Sequence, residues 1–163
     1  MNIIFTDVDG VLTDGRLTLD VHGNETKIIC YRDLDAIGIG RNAGYDFAFV
    51  TGENTKMVQT LANRFNIRRV YAGAKDKLKA MRQISEEFNV PVDSLLYIGD
   101  SDRDAPALKV VGLGIAPIDA TPKAKAASHV LTDTKGGHGI LLEVVDKLTT
   151  GEWQFPANSN QGR

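Results

Sequence analysis

Short runs of apolar residues recur along the chain, and each is bounded by glycine or polar residues. Runs of this length without an alternating polar face are typical of strands that are covered on both sides, as in a parallel sheet. Five runs predict such strands: NIIF (2–5), FAFV (47–50), LLYI (95–98), VGLGIA (111–116) and HVLT (129–132). A weaker run, RRVYAG (68–73), is a sixth candidate.

Between these runs lie segments in which apolar residues are spaced three and four positions apart. This spacing predicts helices that bury one side. The three segments are NTKMVQTLANRF (54–65), KDKLKAMRQISEEF (75–88) and GILLEVVDKLTT (139–150). Because strands alternate with helices, the pattern predicts an α/β fold with a doubly wound, Rossmann-like parallel sheet.

The segment RLTLDVHGNETKIICY (16–31) interrupts this alternation. Its β-branched and alternating residues on both sides of HGNE predict a β-hairpin inserted after the first strand. So short a segment cannot build a second hydrophobic core, and we therefore expect no cap domain. Its apolar residues Leu17, Ile28 and Ile29 need cover, which a second subunit would supply.

The rest of the chain has the organisation of one domain over residues 1–150. The 163 residues are 42% hydrophobic and 25% charged, which is ordinary for a globular protein with one sizeable core. The segment GEWQFPANSNQGR (151–163) is polar and lacks periodicity. It predicts a flexible C-terminal tail.

The net charge and the number of cysteines limit the expected partners and the expected cellular compartment. A formal net charge of −2 provides no broad basic surface, so we expect neither nucleic acid nor an anionic membrane as a partner. The start, MNIIFTDVDG, lacks the features of a secretory signal, and no run approaches the ~20 apolar residues of a membrane span. The one cysteine, Cys30, excludes an intrachain disulfide framework. These features together predict a cytoplasmic protein.

Polar residues follow four of the predicted strands at the point where each strand ends. They are Asp7 and Asp9, Thr51 and Gly52, Lys75 and Lys77, and Asp100 and Ser101. Ligands of a doubly wound sheet bind beyond these carboxyl ends. Two carboxylates about 4 Å apart repel by roughly 4 kcal/mol at an effective dielectric constant near 20, so a proton, a buried cation or a fully solvated loop must offset the repulsion. Three carboxylates suit Mg²⁺, and lysine and threonine suit a bound phosphate.

Four motifs occur in an order and spacing that resemble one enzyme family. They are DVDGVLTDG (7–15), TGE (51–53), KDKL (75–78) and GDSDRD (99–104), and they resemble the motifs of the haloacid dehalogenase-type phosphatases. The segment GLGIAPIDATPKAKAASHVLTDTKGGHG (112–139) is similar to the small, capless branch that contains the octulosonate 8-phosphate and nonulosonate 9-phosphate phosphatases. The resemblance implies a haloacid dehalogenase-like fold, a Mg²⁺-dependent phosphomonoesterase acting on a phosphorylated sugar acid, and a homotetramer.

The resemblance implies catalytic roles for the first two motif aspartates. Asp7 corresponds to the nucleophile that attacks phosphorus and forms an aspartyl-phosphate intermediate. Asp9 corresponds to the general acid that protonates the leaving alcohol and then, as a base, activates water.

The phosphate-binding residues are implied in the same way. Thr51 and the backbone amide of Gly52 would bind phosphate oxygens, since glycine permits close approach of the backbone. Lys77 would neutralise charge on the transferring group. Lys75 competes for this role, but family members keep the lysine directly before the leucine of DKL, which favours Lys77.

The implied metal ligands are the side chains of Asp7 and Asp100 and the backbone carbonyl of Asp9. Asp104 would stand behind them and orient Lys77 or a water on the metal.

Four further residues are candidates for binding the rest of the substrate. Glu53 stands where octulosonate phosphatases have arginine, and TGE is similar to the nonulosonate phosphatases, in which this acid faces the sugar. Arg64 is either a partner for the substrate carboxylate or an ordinary solvated helix residue. Asp33 is a candidate because the segment YRDLDAIGI keeps the aspartate of the related family segment, and His138 occupies a position that the resemblance places near the sugar acid end of the substrate.

Other functions remain open at this point. One alternative is a phosphatase of another small sugar phosphate or of a nucleotide phosphate, and another is a non-catalytic phospho-accepting or Mg²⁺-binding signalling domain. Receiver domains place the acceptor on a middle strand, whereas the Asp7–Asp9 pair follows the first strand here. A nucleic-acid phosphatase would need a basic groove that this composition does not indicate.

Overall fold

The computed structural model describes residues 2–157, and the elements alternate from strand to helix along most of this range. The strands are β1 (Ile3–Thr6), β2 (Thr18–Leu19), β3 (Glu25–Thr26), β4 (Asp46–Val50), β5 (Arg69–Tyr71), β6 (Leu96–Ile98), β7 (Leu113–Ala116) and β8 (Val130–Leu131). The helices are α1 (Tyr31–Asn42), α2 (Lys56–Arg64), α3 (Lys77–Glu87), α4 (Ala105–Val110), α5 (Pro122–Ala127) and α6 (Ile140–Thr149), with a 3₁₀ turn at Val92–Ser94. Within residues 2–157, no helix combines the length and apolar character needed to cross a membrane.

Six strands form one parallel sheet in the order β5-β4-β1-β6-β7-β8. The chain builds outward from β1 through β4 to β5, and then returns to the other side of β1 for β6, β7 and β8. Phe5 in β1 therefore pairs with Ala48 on one side and with Tyr97 on the other. The winding reverses between β1 and β6, and a crevice opens at such a reversal beyond the carboxyl ends of the strands. All six predicted sheet strands are confirmed.

Helices cover both faces of this sheet. Helices α1, α2 and α6 pack on one face, where Ile37, Phe65 and Val144 share a core with Ile4 of β1. Helices α3, α4 and α5 cover the other face, around the opposite-facing Phe5. Successive strand residues point to opposite faces, so a strand covered on both sides has no polar face. The predicted doubly wound α/β fold and its three predicted helices are confirmed.

Helix α1 was not among the predicted helices. Its buried positions, Asp33, Ala36, Ile37 and Gly40, follow the helical period but include an acid and a glycine. A Cβ atom at Gly40 would collide with the ring of Phe47, so the glycine lets α1 approach β4 closely. Helix α1 therefore buries one side, although that side lacks the large apolar residues from which a sequence pattern would predict it.

The insert between β1 and α1 is the expected hairpin. Strands β2 and β3 pair antiparallel, with Thr18 opposite Thr26 and Leu19 opposite Glu25. Helix α1 begins at Tyr31, so the last residue of the predicted hairpin is helical. No cap domain lies between β1 and β4, because residues 7–45 contain only this hairpin, the loops beside it and α1.

The first part of the segment predicted to be flexible lies against the body of the protein. Trp153 and Phe155 are partly buried against the core, and the ring of Phe155 stacks on Tyr45 with centroids 5.8 Å apart. A flexible tail was predicted over residues 151–163, but Trp153 and Phe155 pack against the domain. Positions 158–163 lie outside the described residues. The aromatic residues, embedded in a polar segment, explain the difference because each buries a large apolar area.

Candidate active site

A cleft of about 680 Å³ lies beyond the carboxyl ends of β1, β4, β5 and β6, where the winding reverses. It is lined by Asp7, Asp9, Gly10, Gly15, Thr51, Gly52, Glu53, Lys75, Lys77, Asp100, Ser101, Asp102, Arg103 and Thr121. Most of the residues singled out from the motifs therefore meet in one cavity, although they come from four separate strand ends.

Asp7 follows β1 and is held from three directions. Its backbone N–H donates to the carbonyl of Ile98 in β6 at 2.9 Å, which continues the sheet ladder by one residue. Its Oδ1 accepts from the N–H of Val8 at 2.7 Å, and its Oδ2 accepts from Nζ of Lys77 at 2.6 Å. The side chain is only 11% exposed. The carboxylate is thus fixed at the base of the cleft in one orientation.

Lys77 is the first residue of α3 and points its ammonium group under the cleft. Asp76 caps the helix by accepting from the N–H of Lys79 at 2.9 Å, which sets the start of α3 at this residue. Besides Asp7, Nζ of Lys77 contacts Oδ1 of Asp104 at 3.0 Å and the hydroxyl of Tyr97 at 3.1 Å. Burial lowers the pKa of Lys77, but Asp7 and Asp104 outweigh burial and raise it overall. Lys77 therefore stays charged.

Asp104 is fully buried, and both of its oxygens are occupied by donors. Oδ1 accepts from the hydroxyl of Tyr97 at 2.6 Å as well as from Lys77. Oδ2 accepts from the N–H of Asp100 at 3.1 Å, the N–H of Ser101 at 2.9 Å and the hydroxyl of Ser101 at 2.7 Å. Burial alone would raise the pKa of Asp104, but Lys77 and these hydrogen bonds lower it overall. Asp104 is thus an anion that orients Lys77 and the loop after β6.

A cation fits between Asp7 and Asp100. Carboxylate oxygens of Asp7, Asp100 and Asp104 lie within 4.8 Å of one another. Within residues 2–157, the carboxylate of Asp100 accepts no hydrogen bond from another residue. Burial and the neighbouring carboxylates raise the pKa of Asp100 to about 7, and burial raises that of Asp7 to about 7 against the opposing effect of Lys77. A divalent cation would offset this charge, and oxygen ligands suit Mg²⁺.

The loop after β1 approaches this cluster through Gly10. The φ angle of Gly10 is +81°, in the left-handed region that favours glycine. A Cβ atom at this position would overlap the carboxylate of Asp100. Glycine at position 10 is therefore what allows the DVDG loop and Asp100 to approach so closely.

Asp9 lies on the side of the cleft nearest the hairpin. Its Oδ1 accepts from the hydroxyl of Thr13 at 3.3 Å. Nζ of Lys27 contacts both of its carboxylate oxygens, Oδ1 at 2.8 Å and Oδ2 at 2.9 Å, and also Oε2 of Glu53 at 3.1 Å. Burial lowers the pKa of Lys27, but its hydrogen bonds to Asp9 and Glu53 raise it overall.

Lys27 is a site residue that the sequence did not predict. The residue lies on the return arm of the hairpin, in a segment predicted for its strand pattern rather than for chemistry. One signal was present, because a single lysine stands on the arm of an insert that begins directly after an acidic motif. That signal does not say which way the side chain points.

Thr51 and Gly52 form the edge of the cleft that follows β4. Thr51 is buried, its backbone N–H donates to the carbonyl of Tyr71 at 3.0 Å, and its hydroxyl accepts from the N–H of Glu53 at 3.3 Å. Gly52 has room around it, since the nearest atom to a Cβ placed there would be 3.9 Å away. Of the two candidate lysines, Lys77 is buried against Asp7, whereas Lys75 is exposed on the rim.

Asp33 does not reach the cleft, which corrects its prediction as a substrate-binding residue. It is fully buried, and its Oδ1 accepts from the N–H of Leu141 at 2.8 Å at the start of α6. Its Oδ2 has no partner within residues 2–157. Burial raises the pKa of Asp33 to about 6. Asp33 thus joins α1 to α6 and has a structural role within this chain.

Arg64 and His138 also lie outside the cleft of their own chain. Arg64 donates to the hydroxyl of Tyr31 at 3.3 Å, with its guanidinium 5.9 Å from the centre of that ring. His138 is exposed, and its Nδ1 lies 2.7 Å from the carbonyl of Gly136. Neither side chain therefore contacts the residues that line the site in this subunit.

Comparison with known proteins agrees with this geometry. A family model described as haloacid dehalogenase-like hydrolase matches residues 63–144. The chain is 34% identical over 148 residues to the 3-deoxy-D-manno-octulosonate 8-phosphate phosphatase of Yersinia pestis, covering 91% of this chain and 79% of that protein. It is 31% identical over 161 residues to the Escherichia coli K12 protein of the same name, covering 99% and 86%.

Solved structures give the same result. A probable YrbI-family phosphatase from Pseudomonas syringae superposes with a TM-score of 0.86 at 30% identity, covering 93% of this chain and 86% of that chain. The octulosonate 8-phosphate phosphatase of Moraxella catarrhalis, solved with magnesium, phosphate and KDO, superposes with a TM-score of 0.85 at 28% identity and the same coverage. Because the sheet order, the four strand-end motifs and the similarity over most of the chain all agree, this chain belongs to the haloacid dehalogenase-like hydrolase family.

Proposed function

We propose that the chain is a Mg²⁺-dependent phosphomonoesterase that hydrolyses a phosphorylated sugar acid through an aspartyl-phosphate intermediate. The observation that carries the proposal is the contact of Lys77 with Asp7 at 2.6 Å, at the base of a cleft that also holds Asp100. A buried carboxylate beside a fixed ammonium group is positioned to meet a phosphate dianion. The phosphatase names of the relatives support an enzyme over a signalling domain.

In the first step, a carboxylate oxygen of Asp7 forms a bond to phosphorus while the bond from phosphorus to the ester oxygen breaks. Asp9 gives its proton to that oxygen, so the sugar leaves as an alcohol. In the second step, a water oxygen bonds to phosphorus, Asp9 takes the proton of the water, and the acyl phosphate bond to Asp7 breaks. The products are inorganic phosphate and the original enzyme.

Fixed charges stabilise both steps. Lys77 neutralises charge that develops on the phosphoryl oxygens, while Thr51 and the amide of Gly52 hold those oxygens in place. Mg²⁺, when bound to the carboxylates of Asp7 and Asp100 and the backbone carbonyl of Asp9, would supply two further positive charges to the transferring group. Asp104 keeps Lys77 in position through its 3.0 Å contact.

The substrate class rests on the relatives and on the rim of the cleft. The curated relatives are named for 3-deoxy-D-manno-octulosonate 8-phosphate, an eight-carbon sugar acid ester. The rim of this cleft carries the exposed cations Lys75 and Arg103, which suit the acid group of such a substrate, beside the anions Glu53 and Asp102. We therefore propose a substrate of the octulosonate 8-phosphate or nonulosonate 9-phosphate type, with Glu53 contacting the sugar.

The proposal includes a cytoplasmic homotetramer built on the domain of residues 1–150. The hairpin exposes Leu17, Leu19, Val21 and Ile28, and Val21 is 95% exposed. Apolar side chains clustered on one short insert favour cover by another subunit. Neighbouring subunits would then close each other's clefts, and Arg64 and His138 remain candidates for that role. Light scattering at micromolar concentration tests the assembly, since a monomer would contradict it.

A panel of phosphate esters tests the function. Purified protein is assayed for phosphate release from octulosonate 8-phosphate, nonulosonate 9-phosphate, common hexose phosphates and nucleoside monophosphates, with Mg²⁺ or with EDTA. We expect the two sugar acid esters to give the highest kcat/KM, and EDTA to abolish release. A higher kcat/KM for a hexose or nucleotide ester would contradict the proposed substrate class. Full activity in EDTA would contradict the proposed dependence on Mg²⁺.

A further inference from the structure

Lys27 lies on the hairpin insert but turns its side chain inward. Its chain neighbours Thr26 and Ile28 are exposed, whereas the side chain of Lys27 is only 8% exposed. Burying a lysine is costly unless its charge is paired. The burial is therefore explained by the two carboxylates that its ammonium group contacts.

Those carboxylates are Asp9 and Glu53, from the ends of two different sheet strands. Nζ of Lys27 contacts both oxygens of Asp9, at 2.8 and 2.9 Å, whereas the hydroxyl of Thr13 reaches Oδ1 alone, at 3.3 Å. A hydrogen bond from a charged donor such as the Lys27 ammonium group is about twice as strong as a neutral one, both when Asp9 is ionised and when it carries the proton that it gives to the leaving group. Lys27 therefore holds the rotation of the Asp9 carboxyl group more firmly than Thr13 does.

We infer that Lys27 is a positioning residue that aims the carboxyl group of Asp9 at the leaving-group oxygen. The inference rests on the proposed function, in which Asp9 protonates that oxygen. The hairpin then has a catalytic purpose within its own subunit, in addition to any contact with a neighbour. Glu53, on the other side of the ammonium group, is held in place by the same contact.

Rates for esters with different leaving groups distinguish this role of Lys27 from a general structural role. An alkoxide of a sugar leaves only with a proton, whereas 4-nitrophenolate leaves without one. General acid catalysis contributes roughly 10²- to 10⁴-fold. If the carboxyl group of Asp9 is no longer oriented toward the leaving-group oxygen, cleavage of alkyl esters therefore slows far more than cleavage of 4-nitrophenyl phosphate. Damage to Asp7, Lys77 or the metal ligands would slow both, because both esters use the same nucleophile.

The experiment compares Lys27→Met with the wild type under single-turnover conditions, in which alcohol release reports cleavage of the ester bond. The probes are 4-nitrophenyl phosphate and whichever of octulosonate 8-phosphate and nonulosonate 9-phosphate the wild type cleaves faster. We expect the ratio of alkyl to aryl rates to fall at least about tenfold in Lys27→Met. Lys27→Arg keeps a donor to Asp9 and should restore part of the ratio.

Two further variants make the result specific. Lys79→Met removes an exposed lysine of α3 outside the cleft and should leave both rates unchanged. Glu53→Gln keeps the Lys27–Asp9 contact and measures how far loss of a contact to the sugar by itself lowers the ratio, and the fall in Lys27→Met should be larger. If Lys27→Met does not fold, Lys27→Gln is compared in the same way.

The outcomes distinguish failure of the inference from failure of the proposed function. Equal loss on both esters, or no loss on either, would overturn the role of Lys27 while leaving the phosphatase in place. A wild type that hydrolyses neither ester would instead reject the proposed function, and the role of Lys27 with it.

Discussion

Nζ of Lys77 lies 2.6 Å from Oδ2 of Asp7, although 70 positions separate the two residues in the chain. The contact joins the loop after β1 to the start of α3. The same Nζ also contacts the hydroxyl of Tyr97 and Oδ1 of Asp104, which fix its position. It sets a carboxylate and an ammonium group side by side at the base of the cleft. Both groups are buried, so their attraction is little screened by water.

Asp7→Asn should abolish phosphate release, because an amide oxygen does not form the aspartyl-phosphate bond. We expect a loss of at least about 10³-fold, the scale found when a catalytic nucleophile is removed. Initial rates on 4-nitrophenyl phosphate measure it, and circular dichroism checks the fold. Asp133→Asn, at an exposed carboxylate with 92% side-chain exposure, is the matched control. Turnover by Asp7→Asn at the wild-type rate would show that Asp7 is not the nucleophile.

Asp100→Asn should weaken binding of Mg²⁺ at least about tenfold, the scale seen when groups around a metal are altered. Without metal, the same change should not lower the melting temperature at pH 8. Burial and the charges of Asp104 and Asp7 disfavour ionised Asp100 and raise its pKa to about 7. Thermal unfolding with and without Mg²⁺ checks both effects. Equal stabilisation of wild type and variant by Mg²⁺ would exclude Asp100 as a ligand.

Gly10→Ala should destroy activity and lower the free energy of unfolding by about 1–3 kcal/mol. The added methyl group would overlap the carboxylate of Asp100, and φ at Gly10 is +81°. Gly23→Ala is a matched control, because φ at Gly23 is +83° and no atom of residues 2–157 lies within 4 Å of the added atom. The control should lose stability only. Rate measurements and urea unfolding separate the two variants, and comparable activity in both would refute the steric explanation.

Asp33 should make the protein less stable as pH rises from about 4 to about 6. Burial raises its folded pKa from 3.8 to about 6, so the folded state favours the protonated form. The corresponding stabilisation is fully present below pH 3.8 and is lost as pH rises through about 6, a total of about 3 kcal/mol.

Asp33→Asn removes this titration and keeps an acceptor for the N–H of Leu141. Urea unfolding of both proteins without metal, from pH 4 to pH 7.5, measures the difference in stability. We expect the wild type to lose stability relative to the variant as pH rises. A constant difference across this range would show that Asp33 does not titrate abnormally.

Glu53 should favour a nine-carbon sugar acid ester. Its position within TGE is similar to the nonulosonate phosphatases, and its carboxylate lies at the cleft beside Lys27. We expect kcat/KM to be higher for nonulosonate 9-phosphate than for octulosonate 8-phosphate. Glu53→Arg should move the preference toward the eight-carbon ester. A wild-type preference for octulosonate 8-phosphate would reject this role of Glu53.

The order of elements was predictable because it depends on local periodicity. A strand covered on both faces must be apolar throughout, as Phe47 to Val50 is, and a one-sided helix must repeat its apolar residues at the helical period. Helix α1 escaped prediction because its buried side contains Asp33 and Gly40 in place of large apolar residues. Its burial depends on contact with α6 and β4, which no local pattern reports.

By itself, the sequence determined the α/β fold, the hairpin insert and the strand ends that bring the motif residues to one cleft. These features follow from the periodicity of the backbone and from the rule that parallel strands present their carboxyl ends at one edge. Only the tertiary structure decided that Lys27 turns in to Asp9, that Asp33 is buried under α6, and that Arg64 faces away from the cleft. Such choices depend on which distant segments pack together, because a long charged side chain takes the partner that compensates its burial, wherever in the chain that partner lies.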